Sequence, residues 1–274
     1  MSLLEVCNAS YDYGPKKVFA DIGFQINKGE IFCIVGPNGC GKTTLLDCVG
    51  GLHKLKQGTV LLNGQNMTRL KPPDVARQIA YVPQGHTKTF PYTVLDIVLM
   101  GRTARIDLFS SPSDEDVDSA EQALKLVGLA AFKDRPYTQL SGGESQLVMI
   151  ARALAQEAPV MVMDEPTAHL DFKHELEVLE TVVQLVKEQG LAVIMATHFP
   201  NHAFYFENNR LPTAVALMAD AAFLAVGAPN DVLNEENLRT LYKIDTRVLT
   251  HQIADFGEIR QVIALRTLGN KNRE

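Results

Sequence analysis

The 274-residue chain has no apolar run of the ~18 residues that crossing a bilayer requires. The nearest candidate, 213–228, is interrupted by Asp220 and reads as two short strands around a turn. Positive charge is not in excess: 26 Lys and Arg stand against 32 Asp and Glu, a net charge of −6. That balance excludes a protein that wraps nucleic acid or coats an anionic membrane. Cysteine is scarce. Cys7, Cys33, Cys40 and Cys48 show no CxxC spacing, which excludes a disulfide framework or a paired-cysteine zinc site, and reduced, mostly buried thiols are expected. The start, MSLLEVCNAS, lacks the basic and long apolar regions of a secretory signal, so the expected compartment is the cytosol. Sustained heptads are absent too. What remains, at 46% hydrophobic, is a chain able to bury one large core.

Glycine is concentrated where it matters. The run GPNGCGKTT, Gly36 to Thr44, fits GxxxxGK[ST] at every fixed position, follows an apolar strand at 31–35 and opens into a helix with Leu45, Leu46 and Val49. This is a phosphate-binding loop. Gly36, Gly39 and Gly41 would let the backbone N–H groups of residues 38–43 approach an anion at the positive end of that helix. Lys42 would bring a full charge to the outer phosphates, Thr43 a hydroxyl for Mg²⁺, and Thr44 would reach the inner phosphate. Cys40 lies inside the loop, where partial positive charge is expected to lower its pKa.

Residues 2–30 and 59–62, with the turn Asn63-Gly64, read as a small antiparallel sheet. A strand at 79–82 runs into Pro83 and Gln84, an amide at a strand's carboxyl end. From about 85 to 155 the pattern turns helical. Ser113 caps a helix carrying Val117, Ala120, Leu124 and Val127 and stopping at Gly128, and the acidic run 110–118 is its solvated start. LSGGESQ then opens a helix striped with Leu147, Ile150, Ala151 and Leu154. Ser141 and Glu144 form a capping box, while Gly142 and Gly143 cost about 1 kcal/mol each in a first turn, so a group approaching that backbone, a second anion site, is the better account. The strand at 160–163 delivers Asp164 and Glu165 together. Asp164 would hold the Mg²⁺ shell and Glu165 would polarise the attacking water. His169, Leu170 and Asp171 lead into a helix with Phe172, Leu176, Leu179, Val183 and Val186 on one face and Gly190 at its end. A last strand, 192–196, ends at Thr197 and His198, and its position at a strand terminus raises His198 above His202.

In order and spacing these stretches resemble the ATP-binding subunits of ATP-binding cassette importers: GPNGCGKTT, YVPQ, LSGGE, VMVMDEP, HLD and ATH. Ser145 departs from an arginine common after LSGGE, and the turn Asp220-Ala221 lacks the usual glycine, both matters of local stability. The resemblance implies an α/β P-loop NTPase (RecA-like) core with an N-terminal antiparallel β subdomain and an inserted helical subdomain, the cassette occupying 1–230 and an accessory tail 231–274. It implies ATP and Mg²⁺, with catalysis by Glu165, His198, Lys42 and Gln84. Nucleotide contacts would come from Tyr13 stacking on adenine, with Tyr11 as competitor, from Gly36, Pro37, Asn38, Gly39, Cys40, Gly41, Lys42, Thr43, Thr44 and Gln84, and from Asp164 and Asp171. Ser141, Gly142, Gly143 and Glu144 would contribute from a second copy. Thr43, Gln84 and Asp164 would serve the metal. The implied partners are that second copy, membrane permease subunits at the cytoplasmic face of the membrane and, indirectly, a substrate-binding protein, with no nucleic acid. FPYTVLDIVLMGR and YKIDTRVL resemble ATPases serving iron–siderophore, haem or cobalamin importers. A soluble cassette protein acting on DNA or ribosomes is the alternative; one phosphate loop and one signature weigh against it, and a kinase or GTPase would leave LSGGE unexplained.

Overall fold

Alternation sets the first layer. Leu4–Tyr13 (β1) turns at Gly14-Pro15 into Lys16–Ile26 (β2), where Ile22, Phe24 and Ile26 are buried and the residues between them exposed. The computed structural model describes residues 2–85, 90–106, 110–254 and 257–268; readings that extend into 86–89, 107–109 or beyond 268 fall outside them. Ile31–Val35 (β3) leads into Lys42–Val49 (α1), then Gln57–Leu62 (β4) and Gln65–Asn66 (β5). Pro72–Ala76 (α2) precedes Ile79–Val82 (β6), and Val94–Leu99 (α3), Asp114–Leu126 (α4) and Gly142–Ala155 (α5) form the helical lobe. Val160–Asp164 (β7), Phe172–Gln189 (α6), Ala192–Thr197 (β8), Asn201–Asn208 (α7) and Thr213–Ala219 (β9) complete the core, with Ala222–Gly227 (β10) at its edge. Pro229–Val232 (α8), Glu235–Tyr242 (α9) and the hairpin Ile244–Ile253 (β11) and Gly257–Thr267 (β12) end the described chain.

The antiparallel sheet runs β2-β1-β4-β5, and the six-stranded sheet runs β10-β9-β3-β8-β7-β6, parallel except for β10. Strands such as β3 and β7 are buried on both faces, as parallel strands covered by two layers must be. Their side chains divide between two cores: Ile31, Cys33 and Val35 pack with the helical lobe, α6 and α7, while Phe32 and Ile34 pack with α1 and the antiparallel sheet.

Several helices differ from their sequence reading. α5 is buried on nearly all sides, Val148, Met149, Ala153 and Ala155 as well as the expected stripe, because it lies against α3, α4 and α6 at once; Leu154 is only half-buried. In α6 the buried face is Val178, Leu179, Val182, Val183, Leu185 and Val186, while Phe172 is 85% exposed. In its first turn His174 lies against Gly143 and Glu175 meets His202, while Phe172 lies outside the packed face. The acidic start of α4 is not wholly solvated either. Asp116 is buried, closes the capping box with Ser113 and pairs with buried Arg102 (Nε to Oδ1, 2.9 Å), which also donates to the Ala155 carbonyl.

The hydrogen bonds from Ser113, together with Arg102, hold the Asp116 carboxyl at about 2, below its ordinary 3.8. A carboxyl depressed on folding contributes stability that is present above its unfolded value and lost as pH falls through the folded one. Asp116→Asn should therefore be less stable than the parent at neutral pH, and the gap should close between about pH 4 and pH 2. Urea unfolding across that range reads it out; a gap independent of pH would remove Asp116 as the source.

Candidate active site

Three parallel strands end level. Val35 of β3 pairs with Thr197 of β8, and Asp164 of β7 with Ala196 of β8, so the chain leaves the sheet at Gly36, Glu165 and His198 side by side. β6, the outer neighbour of β7, ends at Val82 and brings Gln84 to the same edge.

The loop after β3 uses its glycines for two purposes. Gly39 has φ +79° with open space around it, the geometry for N–H groups that face a ligand. At Gly36 and Gly41 the constraint is internal: a Cβ on Gly36 would lie 2.4 Å from the Met218 carbonyl oxygen, and one on Gly41 2.9 Å from Val18. Lys42 is 4% exposed, donates to the Gly36 and Pro37 carbonyls at 2.8 and 3.1 Å, and lies 3.0 Å from Glu165 Oε1. Burial pushes the Cys40 thiol up and outweighs Lys42 and the loop amides, which corrects the expectation of a lowered pKa.

Glu165 is where the sheet edge converges. Its backbone is left-handed (φ 46°), a conformation that costs an L residue about 1–2 kcal/mol, and its amide donates to the Ala196 carbonyl at 3.0 Å. Besides Lys42 it meets His198 Nδ1 at 2.9 Å and Gln84 Nε2 at 3.4 Å, both through Oε2. His202, four residues on, is 3% exposed and held by the Thr197 hydroxyl and Glu175 at 2.9 and 2.7 Å. Of the two histidines only His198 touches Glu165. Burial raises the Asp164 carboxyl, a hydrogen bond from Thr43 opposes the rise, and among the described residues Asp164 Oδ1 is buried with no hydrogen-bond partner. One carboxylate with a spare oxygen, a hydroxyl and an amide make a hard oxygen set, which fits Mg²⁺.

A cleft of about 730 Å³ covers this edge, lined by Tyr13, the loop residues Pro37 to Thr44, Gln84 and Glu165. Tyr13 is half-exposed at its mouth, whereas Tyr11 stacks on Phe19 and His53 behind it. Lys16, Lys17, Asp220, Ala221, Thr240 and Lys243 also line it. None of these was read from the sequence as part of the site. The lysines follow Tyr13 by three and four residues and were within reach of inspection, but the last two arrive only by tertiary packing.

The LSGGE segment does not line that cleft. Ser141 caps α5 in the expected box with Glu144, whose carboxyl the Ser141 amide holds below its ordinary range. Ser145 is buried and donates its hydroxyl to the Ser141 carbonyl. The close approach inferred for the glycines is, at Gly143, made by the same chain: a Cβ there would sit 2.2 Å from the His174 ring. Gly142 is exposed, and a Cβ there would meet only Leu170 at an ordinary 3.8 Å. Asp171 caps α6 and binds His174 through its amide (3.0 Å) and ring (2.8 Å), and its carboxylate is largely exposed.

A loop for phosphates beside a buried carboxylate in reach of a lysine and a histidine is the apparatus of nucleoside triphosphate hydrolysis on a P-loop α/β core. The chain belongs to the ABC transporter family, whose profile matches residues 19–168, and it is an ATPase. An uncharacterized ABC transporter ATP-binding protein of Haemophilus influenzae is 39% identical over 250 residues, 91% of this chain and 92% of the relative. A molybdate import ATP-binding protein of the same organism is 36% identical (88% of each chain), and an iron(3+)-hydroxamate import ATP-binding protein of Bacillus subtilis 33% (91% of each). Among solved structures, a putative metal-chelate type ABC transporter in an inward-facing conformation matches with TM-score 0.85 at 33% identity over 97% of this chain and 98% of its own. A dimeric bacterial ABC transporter cassette matches with TM-score 0.68 at 26% identity over 82% and 98%.

Proposed function

We propose that this chain is the ATP-hydrolysing subunit of an importer for a metal chelate such as an iron–siderophore, haem or cobalamin complex. The observation that carries the cargo class is coverage. The metal-chelate type structure spans 97% of this chain, tail included, against 82% for the dimeric cassette. The molybdate relative, at 36% identity, favours a second reading in which the cargo is an oxyanion. Uptake of labelled ferric hydroxamate, cobalamin and molybdate by cells lacking this chain separates the two: loss of molybdate uptake alone overturns the first.

In this reading Tyr13 stacks on adenine, Lys42 and the loop amides hold the phosphates, and Glu165 accepts the proton of the attacking water. His198 and Gln84 hold the Glu165 carboxylate in place. Thr43, Asp164 and Gln84 would hold Mg²⁺, which neutralises phosphate charge when bound. Residues 1–230 form the cassette and 231–274 an accessory element on it. Among the described residues no helix is long and apolar enough to cross a membrane. In this reading the chain works with separate permease subunits at the cytoplasmic face, and through them with a substrate-binding protein.

Two copies facing head to tail complete the site, because Ser141, Gly142, Gly143, Glu144 and Asp171 lie off the cleft of their own chain. Exposed Ser141 and Gly142 are then the surface that meets the other copy's nucleotide. With ATP, the Glu165→Gln chain should sediment as a dimer. Adding Ser141→Arg should weaken that dimer by about 100-fold or more, the effect of an unpaired charge in an interface. A Glu165→Gln, Ser141→Arg chain that dimerises as well as Glu165→Gln alone would sink the head-to-tail arrangement.

A further inference from the structure

The segment carrying His198 is gripped from two sides by the C-terminal element. Tyr242, the last residue of α9, donates its hydroxyl to the His198 backbone carbonyl at 2.9 Å. On the other side α7, which begins three residues after His198, is laced to β12. Asn201 exchanges two hydrogen bonds with the Val262 backbone (3.2 and 2.7 Å), and Asn208 two with that of Arg260 (both 3.4 Å). Val262 and Arg260 are two residues apart and so present their polar groups along one edge of β12, the edge opposite β11. Two asparagine amides therefore stand in for a third strand. Thr240, Leu241 and Lys243, the neighbours of Tyr242, line the nucleotide cleft itself.

The phenol suits this task. Burial pushes the Tyr242 hydroxyl well above its ordinary value, so it remains a donor across the working pH range, and the Glu165 charge adds to the shift. Its acceptor belongs to the residue whose imidazole lies 2.9 Å from Glu165. Without that bond a half-buried carbonyl loses its partner, and the peptide unit that sets the direction of the imidazole is free to turn.

We propose that Tyr242 is a positioning residue for ATP hydrolysis: by fixing the His198 carbonyl it holds the imidazole against Glu165, with the β11–β12 hairpin bracing α7 from behind. This rests on the reading of His198 given above.

The test uses the full chain and four proteins: parent, Tyr242→Phe, Asn201→Ala and His198→Ala. Tyr242→Phe keeps the ring and removes only the hydroxyl. Its kcat for ATP should fall about tenfold, the rate equivalent of one hydrogen bond, while KM for ATP stays at the parent value. Tm should drop by only about 2–4 °C, and the His198 ring protons should shift in the NMR spectrum. Asn201→Ala, which loosens the brace without touching Tyr242, should lower kcat less. A purely structural tyrosine would lower Tm and leave kcat, KM and the His198 resonances alone, and that result overturns the proposal. If His198→Ala is inactive while both other variants turn over like the parent, the clamp is wrong and the histidine right. If His198→Ala itself turns over at the parent rate, the role of His198 falls and the clamp's purpose with it.

Discussion

Glu165→Gln is expected to bind ATP as tightly as the parent and to hydrolyse it about 10² to 10⁴-fold more slowly, the usual contribution of a positioned base. The carboxylate is built for a proton: it is buried, held in a left-handed backbone and touched by His198, Gln84 and Lys42, so its orientation is fixed before any water arrives. Glutamine keeps the shape and most of the contacts but cannot take the proton. Binding should survive for a second reason. Lys42 lies 3.0 Å from Glu165 Oε1, and removing that charge removes a competitor for the ammonium. Fluorescent-nucleotide titration beside single-turnover hydrolysis separates the two effects. Loss of binding with retained turnover per bound ATP would reverse the assignment of Glu165.

Lys42→Ala should do the opposite. Losing one partner of a charged contact in a desolvated site costs about 2–5 kcal/mol, so ATP affinity should drop by roughly 30-fold to several thousand-fold. The structure adds a cost in the protein alone. Lys42 and Glu165 are both buried, and Glu165 would be left facing one histidine and one amide, so Lys42→Ala should also unfold at lower temperature. Combining Lys42→Ala with Glu165→Gln removes the stranded charge and should recover much of that stability without restoring affinity. Calorimetric binding together with thermal unfolding of the single and double variants checks both halves. Unchanged ATP affinity in Lys42→Ala would count against the loop as the phosphate site.

Local patterns carried most of the fold. The buried parallel strands, the caps at Ser113 and Ser141 and the stop at Gly190 are each written in a few consecutive residues, and 213–228 is indeed two strands, β9 and β10, around Asp220-Ala221. That turn holds both residues at positive φ without a glycine, while the Ala221 carbonyl accepts from the Ala20 amide. What could not be read were distances between segments far apart in sequence. Asp116, which forms a buried ion pair with Arg102, lies within an acidic run that read as a solvated helix start. The free space implied by Gly143 belongs to His174, and Tyr242 gave no hint of His198, 44 residues away. Periodicity also failed at the start of α6, where the buried face begins at Val178 and Phe172 and Leu176 are exposed. Motif spacing marks which residues gather at the carboxyl edge, but not that Glu165 is the one the others touch.

The level ends of β3, β7 and β8 have a further consequence. Lys42, Glu165 and His198 stand within a few residues of strands whose offsets are locked by backbone hydrogen bonds, so the spacing of their backbones is set by the ladder, and packing elsewhere acts only on how the side chains are aimed. The helical lobe attaches outside this ladder. Substitutions can therefore accumulate in that lobe while the reacting edge keeps its spacing. Constancy at the edge and change on the lobe can coexist in one chain.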